Sequence, residues 1–419
     1  MSHHNALNQL AIHGGSKVRT EPWPPRRLFT EEEKAAAIRL FDESIQSGNA
    51  FSYNGEEEEA YCHEFAAFMG GGYADAVNSG TAAIYVALRA LDLEPFTEVI
   101  VPPITDMGGV MPVPLINCIP IPADCARDSY NVGPEEVAAR ITERTSAIIV
   151  AHIAGHPVDM DPIMELAASK GIPVIEDAAQ SHGATYKGQL VGTIGDISAF
   201  STMSGKHHAT GPQGGIVYTR NEDMYWRARR AADRGKPFGL TGVDSNVTCA
   251  LNLNLNDLSA AIGRVQINRL PGILAACRQA GGRVVDACQG LQAVTPITGL
   301  PFAESAFWFL PFKLDLTKVS VDIDTFVRGA AGEGIPFSCH YVKPFTRHQW
   351  YKTRNVFGSS GYPWTSPSYK GNPGAEYPLP HFDEVDASFF FVKVHENVTE
   401  REAADIGKAL AKAEAAWLL

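Results

Sequence analysis

The 419-residue chain reads as an α/β protein. The expected architecture is a large domain with a mostly parallel seven-stranded sheet sandwiched by helices, followed by a smaller α+β C-terminal domain. Three observations predict it. Seven short β-rich runs recur at Ala74–Val77, Val99–Val101, Cys118–Ile121, Ala147–Ala151, Val174–Glu176, Ile197–Phe200 and Gly215–Tyr218. Several intervals carry helical periodicity, notably Thr81–Leu91, Pro134–Ile141 and Asp161–Lys170. Strands alternating with helices mean crossover units and a sheet covered on both faces. Beyond a long helical pattern near Asn256–Val285 the alternation stops, which marks the second domain.

In chain order, residues 1–30 carry Gly14-Gly15 and Pro22-Trp23-Pro24-Pro25 and read as an arm or extended lead-in. Residues 31–270 form the expected large domain and 271–419 the small one. From Thr30 to Gly48 a stripe of Ala37, Ile38, Phe41 and Ile45 recurs at helical spacing, with Thr30 as N-cap. A second helix covers Glu56 to Met69. The Asn256–Val285 pattern is expected to break near Pro271-Gly272. The small domain shows strand-like runs at Phe309–Leu314 and Phe389–Val394, with helices near Ile323–Glu333 and Thr399–Trp417. Asn355 to Tyr377, dense in Gly, Pro and Ser, reads as a long loop, either functional or a plain surface insertion.

Composition narrows the function. The net charge of −12 argues against nucleic acid as a partner, since phosphate backbones require a basic face. The seven cysteines are scattered without a CxxC pair, so neither a metal site nor a disulfide framework is expected. Met1-Ser2-His3-His4-Asn5 lacks a basic region ahead of an apolar core, and no run is long enough for a membrane span. A cytoplasmic protein is expected.

The chemistry gathers where such a sheet places ligands, beyond the carboxyl ends of its strands. Pro173-Val174-Ile175-Glu176-Asp177 is an apolar run ending in acids, and Lys206 follows the next strand by a few residues, ahead of Gly211-Pro212-Gln213-Gly214-Gly215. A lysine to form an imine with an aldehyde, and an acid to keep a pyridine nitrogen protonated, are what pyridoxal 5′-phosphate (PLP) requires of a protein. Asn78-Ser79-Gly80-Thr81 leads from a strand into a helix. That arrangement makes either an anion site for a phosphate or an ordinary N-cap. Ser201, at its strand end, adds a hydroxyl.

These residues carry a resemblance. Asn78-Ser79-Gly80-Thr81, Glu176-Asp177-Ala178-Ala179-Gln180-Ser181-His182-Gly183-Ala184, Gly195-Asp196, Phe200-Ser201, Lys206 with Gly214-Gly215, Asn252, Ala260-Ala261-Ile262-Gly263 and His340-Tyr341 with Pro344 occur in order. The sequence resembles the DegT/DnrJ/EryC1/StrS family of PLP-dependent sugar and cyclitol aminotransferases, of fold type I. The resemblance implies that Lys206 forms the imine, Asp177 meets the pyridine nitrogen and Gln180 lies near the ring. It implies that Gly80, Thr81 and Ser201 hold the phosphate. Asn252 would reach the phosphate of a neighbouring subunit, hence a homodimer with active sites at the interface. The dehydrase branch of the family has histidine where this chain has Lys206. His207 and His208 either contact the site or pack under the loop.

Two positions depart from the family pattern. Where an aromatic usually follows the threonine and stacks on the ring, this chain has Thr105-Asp106-Met107-Gly108-Gly109. Met107 is then a candidate to cover the ring, and Asp106 to face the substrate, with His340 as a second substrate contact. Asn254 stands where the family tends to carry arginine, and asparagine cannot match a guanidinium's charge or fork. The expected activity is transfer of an amino group from glutamate or glutamine to a ketone on a sugar, nucleotide-linked or not, or on a cyclitol. The alternatives are another PLP reaction on this scaffold, a dehydratase or an aromatic-forming synthase, and a non-catalytic PLP-binding regulator.

Overall fold

Apolar runs buried on both faces form the central sheet of the computed structural model, which describes residues 7–419. Residues 1–6, the start of the expected arm and the stretch read for a leader, lie outside the described residues. The strands are β1 (Tyr73–Val77), β2 (Glu98–Val101), β3 (Ile119–Pro122), β4 (Thr145–Ala151), β5 (Val174–Asp177), β6 (Ile197–Ser201) and β7 (Gly215–Thr219). Their order in space is β1-β7-β6-β5-β4-β2-β3. Only β7 runs antiparallel to its neighbours, β1 and β6. Every residue of β2, β3, β5, β6 and β7 is buried, as a sheet covered on both sides demands.

Helices α2 (Glu56–Phe68), α3 (Gly80–Leu91), α4 (Met160–Lys170), α5 (Glu222–Ala232) and α6 (Asp257–Ala287) flank this sheet, and α1 (Glu31–Ser47) packs on α6. On one face Phe65 of α2, Ile163 of α4 and Leu270 of α6 share a core with Val150 and Phe200. On the other, Val86 and Leu88 of α3 and Ala228 of α5 pack on Val99, Ile149 and Val217. The second sheet holds β8 (Val294–Pro296), β9 (Leu310–Leu314), β10 (Ser338–Cys339) and β11 (Phe389–Val392), ordered β8-β9-β11-β10 and antiparallel throughout. Helices α7 (Ile323–Gly332) and α8 (Glu400–Trp417) close its core through Phe326, Ile406 and Leu410. Among the described residues no helix is long and apolar enough to cross a membrane.

Three expectations need correction. The long helix does not break: α6 runs unbroken through Pro271. A proline costs one backbone bond there, but Leu270, Ile273, Leu274 and Cys277 are buried on either side and hold the helix together. The arm is not a loose lead-in. Leu10 is fully buried in the small domain's core, and Arg19 pairs with Glu402 and Asp405, each at 3.0 Å. Helix α1 has its Thr30 capping box, completed by Glu33. Its apolar stripe nevertheless faces outward, with Ile38, Phe41 and Ile45 at 48%, 50% and 78% exposure. The Pro134 helix also ends early, at Ala138. The Asn355–Tyr377 segment has no helix or strand, as expected, yet Trp364 and Tyr369 within it are buried against the large domain.

Candidate active site

Alternation along a strand separates the two acids of β5, because successive side chains point to opposite faces. Glu176 turns inward and is taken up structurally. His152 Nε2 lies 3.0 Å from its Oε2, and the Gly192, Ile194 and Gly195 amides donate to it. Val158 N–H donates to His152 Nδ1, which puts the imidazole proton on Nε2. Asp177 turns to the other side at the strand's end. Its Oδ1 accepts from Ala179 N–H at 3.1 Å, while Oδ2 receives only a long 3.4 Å bond from Thr105. Burial pushes its carboxyl above the usual aspartate value, against the Ala179 bond and the nearby charge of Lys206.

Lys206 sits on the loop after β6, whose strand pairs with β5 through Asp177 and Ala199. Bonds from Thr202 N–H to Gly214 O and from Thr210 N–H to Thr202 O close the loop's base. The lysine is 7% exposed, with Nζ 4.1 Å from the centroid of the Trp308 ring. Burial lowers its pKa to about 8. Asp177 and Asp106 oppose that fall, and Lys393 adds to it. A buried amine with this pKa is neutral often enough near pH 7 to act as a nucleophile and proton carrier.

The start of α3 meets the end of β6 by close approach. Ser79 caps α3 by accepting from Ala82 N–H, which leaves the Gly80 and Thr81 amides at the helix start without intrahelical acceptors. A Cβ on Gly80 would lie 2.7 Å from Ser201 Cβ, so strand end and helix start meet only because residue 80 is glycine. A Cβ on Gly215 would lie 2.3 Å from the Ser79 carbonyl oxygen. Thr81 Oγ1 and the Ser201 hydroxyl flank this positive helix end, a donor set suited to a phosphate dianion. With an under-bonded buried carboxylate at the end of β5 and a buried lysine on the loop after β6, the residues fit PLP.

Around this centre Gln180 is fixed from both ends: Oε1 accepts from Ala154 N–H at 2.9 Å and Nε2 donates to Tyr341 Oη at 2.8 Å. Asp106 caps the short turn Met107–Gly109 through Gly108 N–H. A Cβ on Gly109 would be 3.1 Å from Asp177 Oδ2, so the glycines bring this turn close to the acid. Lys206, Asp177, Gln180, Gly80, Thr81, Ser201 and Asp106 therefore converge. Asn252 does not join them within this chain: it is exposed, and its Oδ1 accepts from Asn254. His340 also lies apart, with Nδ1 3.0 Å from Asp386 and Nε2 3.3 Å from Asp324. Its neighbour Tyr341 points to Gln180 instead.

Of the residues beside Lys206, sequence reading missed Trp308. It stands in Ala306-Phe307-Trp308-Phe309, an aromatic run with no local pattern to set one ring apart. His207 and His208 pack under the loop. His207 Nε2 donates to Ala306 O, and His208 bonds Tyr61 and His182. Burial lowers both pKa values to about 3, so both rings are neutral.

Comparison with known proteins identifies the family. The model of the DegT/DnrJ/EryC1/StrS aminotransferase family matches residues 31–371. The chain is 32% identical over 249 residues to 3-amino-5-hydroxybenzoate synthase of Amycolatopsis mediterranei, covering 59% of this chain and 62% of that protein. It is 32% identical over 274 residues to L-glutamine:2-deoxy-scyllo-inosose aminotransferase of Streptomyces fradiae, covering 63% and 64% respectively. The chain thus spans somewhat under two thirds of the length of these two relatives. The solved aminotransferase from Psychrobacter cryohalolentis superimposes with a TM-score of 0.79 at 28% identity, over 94% of this chain and 98% of that one. The chain belongs to the DegT/DnrJ/EryC1/StrS aminotransferase family.

Proposed function

We propose that this protein is a PLP-dependent aminotransferase that takes an amino group from glutamine or glutamate and delivers it to a keto-sugar or keto-cyclitol. The observation that carries the reading is the buried Lys206 beside Asp177, at the ends of adjacent strands and next to the Gly80–Ser201 cradle. The glutamine donor is suggested by the printed activity of the Streptomyces fradiae relative.

When bound, PLP supplies the carbonyl that carries the amino group and a ring that takes up the electron pair released at the substrate carbon. The chain's own residues do the rest. Asp177 would face the ring nitrogen, and pairing with a positive charge there would offset the burial that disfavours its carboxylate. Ser201, Thr81 and the Gly80 amide would hold the phosphate at the helix start. Lys206 would hold the cofactor through Nζ, and the same nitrogen, neutral in part near pH 7, would accept and return a proton. Gln180, locked between Ala154 and Tyr341, would stand beside the ring in a fixed orientation. Asp106 would meet the acceptor, while His340, held by Asp324 and Asp386 at the small-domain rim, stands apart from it.

The outward stripe of Ile38, Phe41 and Ile45 supports a homodimer, since contiguous apolar surface on a soluble protein marks an interface. The exposed Asn252 is then free to serve the partner's phosphate site.

The test is nitrogen transfer from glutamine or glutamate labelled at the α-amino group with 15N, against a panel of keto-cyclitols and nucleotide-linked keto-hexoses. Label in an amine product supports the reading. Loss of water from the acceptor without label would replace it with the dehydratase alternative.

A further inference from the structure

The loop that carries Lys206 is held from behind by one guanidinium. Arg26, in the N-terminal segment, donates from Nη1 to Lys206 O at 2.5 Å and to Gly205 O at 3.4 Å, and from Nη2 to His207 O at 3.1 Å. Its Nε is paired with Glu396 of the small domain, at 3.0 and 3.2 Å to the two carboxylate oxygens. Three consecutive carbonyls centred on the lysine thus share one planar fork. No lysine ammonium, a single point of three donors, spans such a set while also keeping a carboxylate partner.

The strut is itself anchored. His395 Nε2 lies 3.1 Å from Pro24 O, and the Asn397 side chain donates to the carbonyls of Pro25 and Arg26. Trp308, whose ring covers Lys206 Nζ, adds a fourth hold by donating from Nε1 to Gly205 O at 3.0 Å. The segment 24–26 therefore ties the lysine loop to the small domain. The loop has no other side-chain donor on the Lys206 carbonyl among the described residues.

We infer that Arg26 is a positioning residue for Lys206: it sets where Nζ stands relative to Asp177 and couples that position to the seating of the small domain. It touches neither the acid nor the phosphate cradle, so its loss leaves cofactor binding in place while displacing the amine that moves the proton. Displacement by about 1 Å at a reacting group costs on the order of a hundredfold in rate. The inference rests on the proposed role of Lys206.

A cavity of about 540 Å³ lies against Arg26, walled by Trp23, His207, Cys277 and Trp308. It is wide enough for a free guanidinium ion to take the place of a deleted side chain, which makes chemical rescue possible.

The experiment compares wild type, Arg26→Ala, Arg26→Lys and Lys206→Ala as full-length proteins. Three quantities are read: PLP content, steady-state kcat and KM, and hydrogen–deuterium exchange of residues 203–209 in the cofactor-free proteins. For Arg26→Ala the expected result is near-normal PLP content, kcat down about a hundredfold with KM changed less than threefold, and faster exchange confined to the loop. Guanidinium chloride at millimolar concentration is expected to raise its kcat at least tenfold, while methylammonium does not. Arg26→Lys, which keeps the charge but not the fork, falls between the two and answers the question even if the alanine variant does not fold. Wild-type kcat and exchange in either Arg26 variant would overturn the inference. So would a loss that tracks PLP content and ignores guanidinium. Turnover surviving in Lys206→Ala would instead remove the reading beneath it, whatever the Arg26 variants do.

Discussion

The lysine's altered basicity can be measured without any substrate. Burial lowers the Lys206 pKa from 10.5 to about 8, a difference worth about 3 kcal/mol between its charged and neutral forms. At pH 7 the neutral fraction is then about 9%, against roughly 0.03% for an ordinary lysine, an enrichment on the order of 300-fold. The assay is acetylation of the cofactor-free protein with a limiting small anhydride between pH 6 and 11. Modification at Lys206 is read by mass spectrometry, as a fraction of that reached in denatured protein at pH 11. The sign is fixed by the chemistry: only the neutral amine reacts, so labelling rises with pH and its midpoint is the pKa. The midpoint is expected near 8. Asp177→Asn removes a charge that favours the ammonium, and its midpoint should move lower still. Trp308→Ala opens the lysine to water and should move it up toward the ordinary value. A wild-type midpoint at 10 or above, or an upward move in Asp177→Asn, would refute the account of a buried, acid-flanked amine.

Three further outcomes are expected. Lys206→Ala abolishes amino transfer while retaining part of the PLP affinity through the phosphate cradle, which equilibrium dialysis against turnover will separate. Gly80→Ala forces a Cβ to 2.7 Å from Ser201 Cβ, an overpacking that costs about 1–3 kcal/mol, so PLP should bind roughly 10- to 100-fold more weakly with little change in secondary structure. Ile45→Asp, on a side chain 78% exposed in the monomer, should weaken self-association by tenfold or more by sedimentation while leaving the monomer's melting temperature nearly unchanged.

Much of the candidate site was legible because its pieces are local. Asp177 closes an apolar run, Gly80 opens a helix and Lys206 follows a strand, so each announces its place by its own neighbours. The seven strands were legible for the same reason, since a sheet buried on both faces writes apolar residues without interruption. What stayed hidden depends on distant segments meeting. Trp308 and Arg26 reach Lys206 from positions 102 and 180 residues away (308 − 206 and 206 − 26), and nothing in their own surroundings says so. The α1 stripe identified a helix but not which way it faces, because periodicity defines a face and not what covers it. Pro271 misled in the opposite direction, a local breaker overruled by burial on either side of it. His340 shows a third case. Its motif was readable, but the ion pairs to Asp324 and Asp386 that turn its ring away come from α7 and the helix at Pro380–Ser388.

The most direct test of the central claim is the visible absorption spectrum of the purified protein with PLP, before and after L-glutamine or L-glutamate. The account predicts a visible band from cofactor bound through Lys206, absent in Lys206→Ala, that bleaches when one of the two donors is added. Absence of the band in the wild type, or a band that neither donor changes, would contradict it.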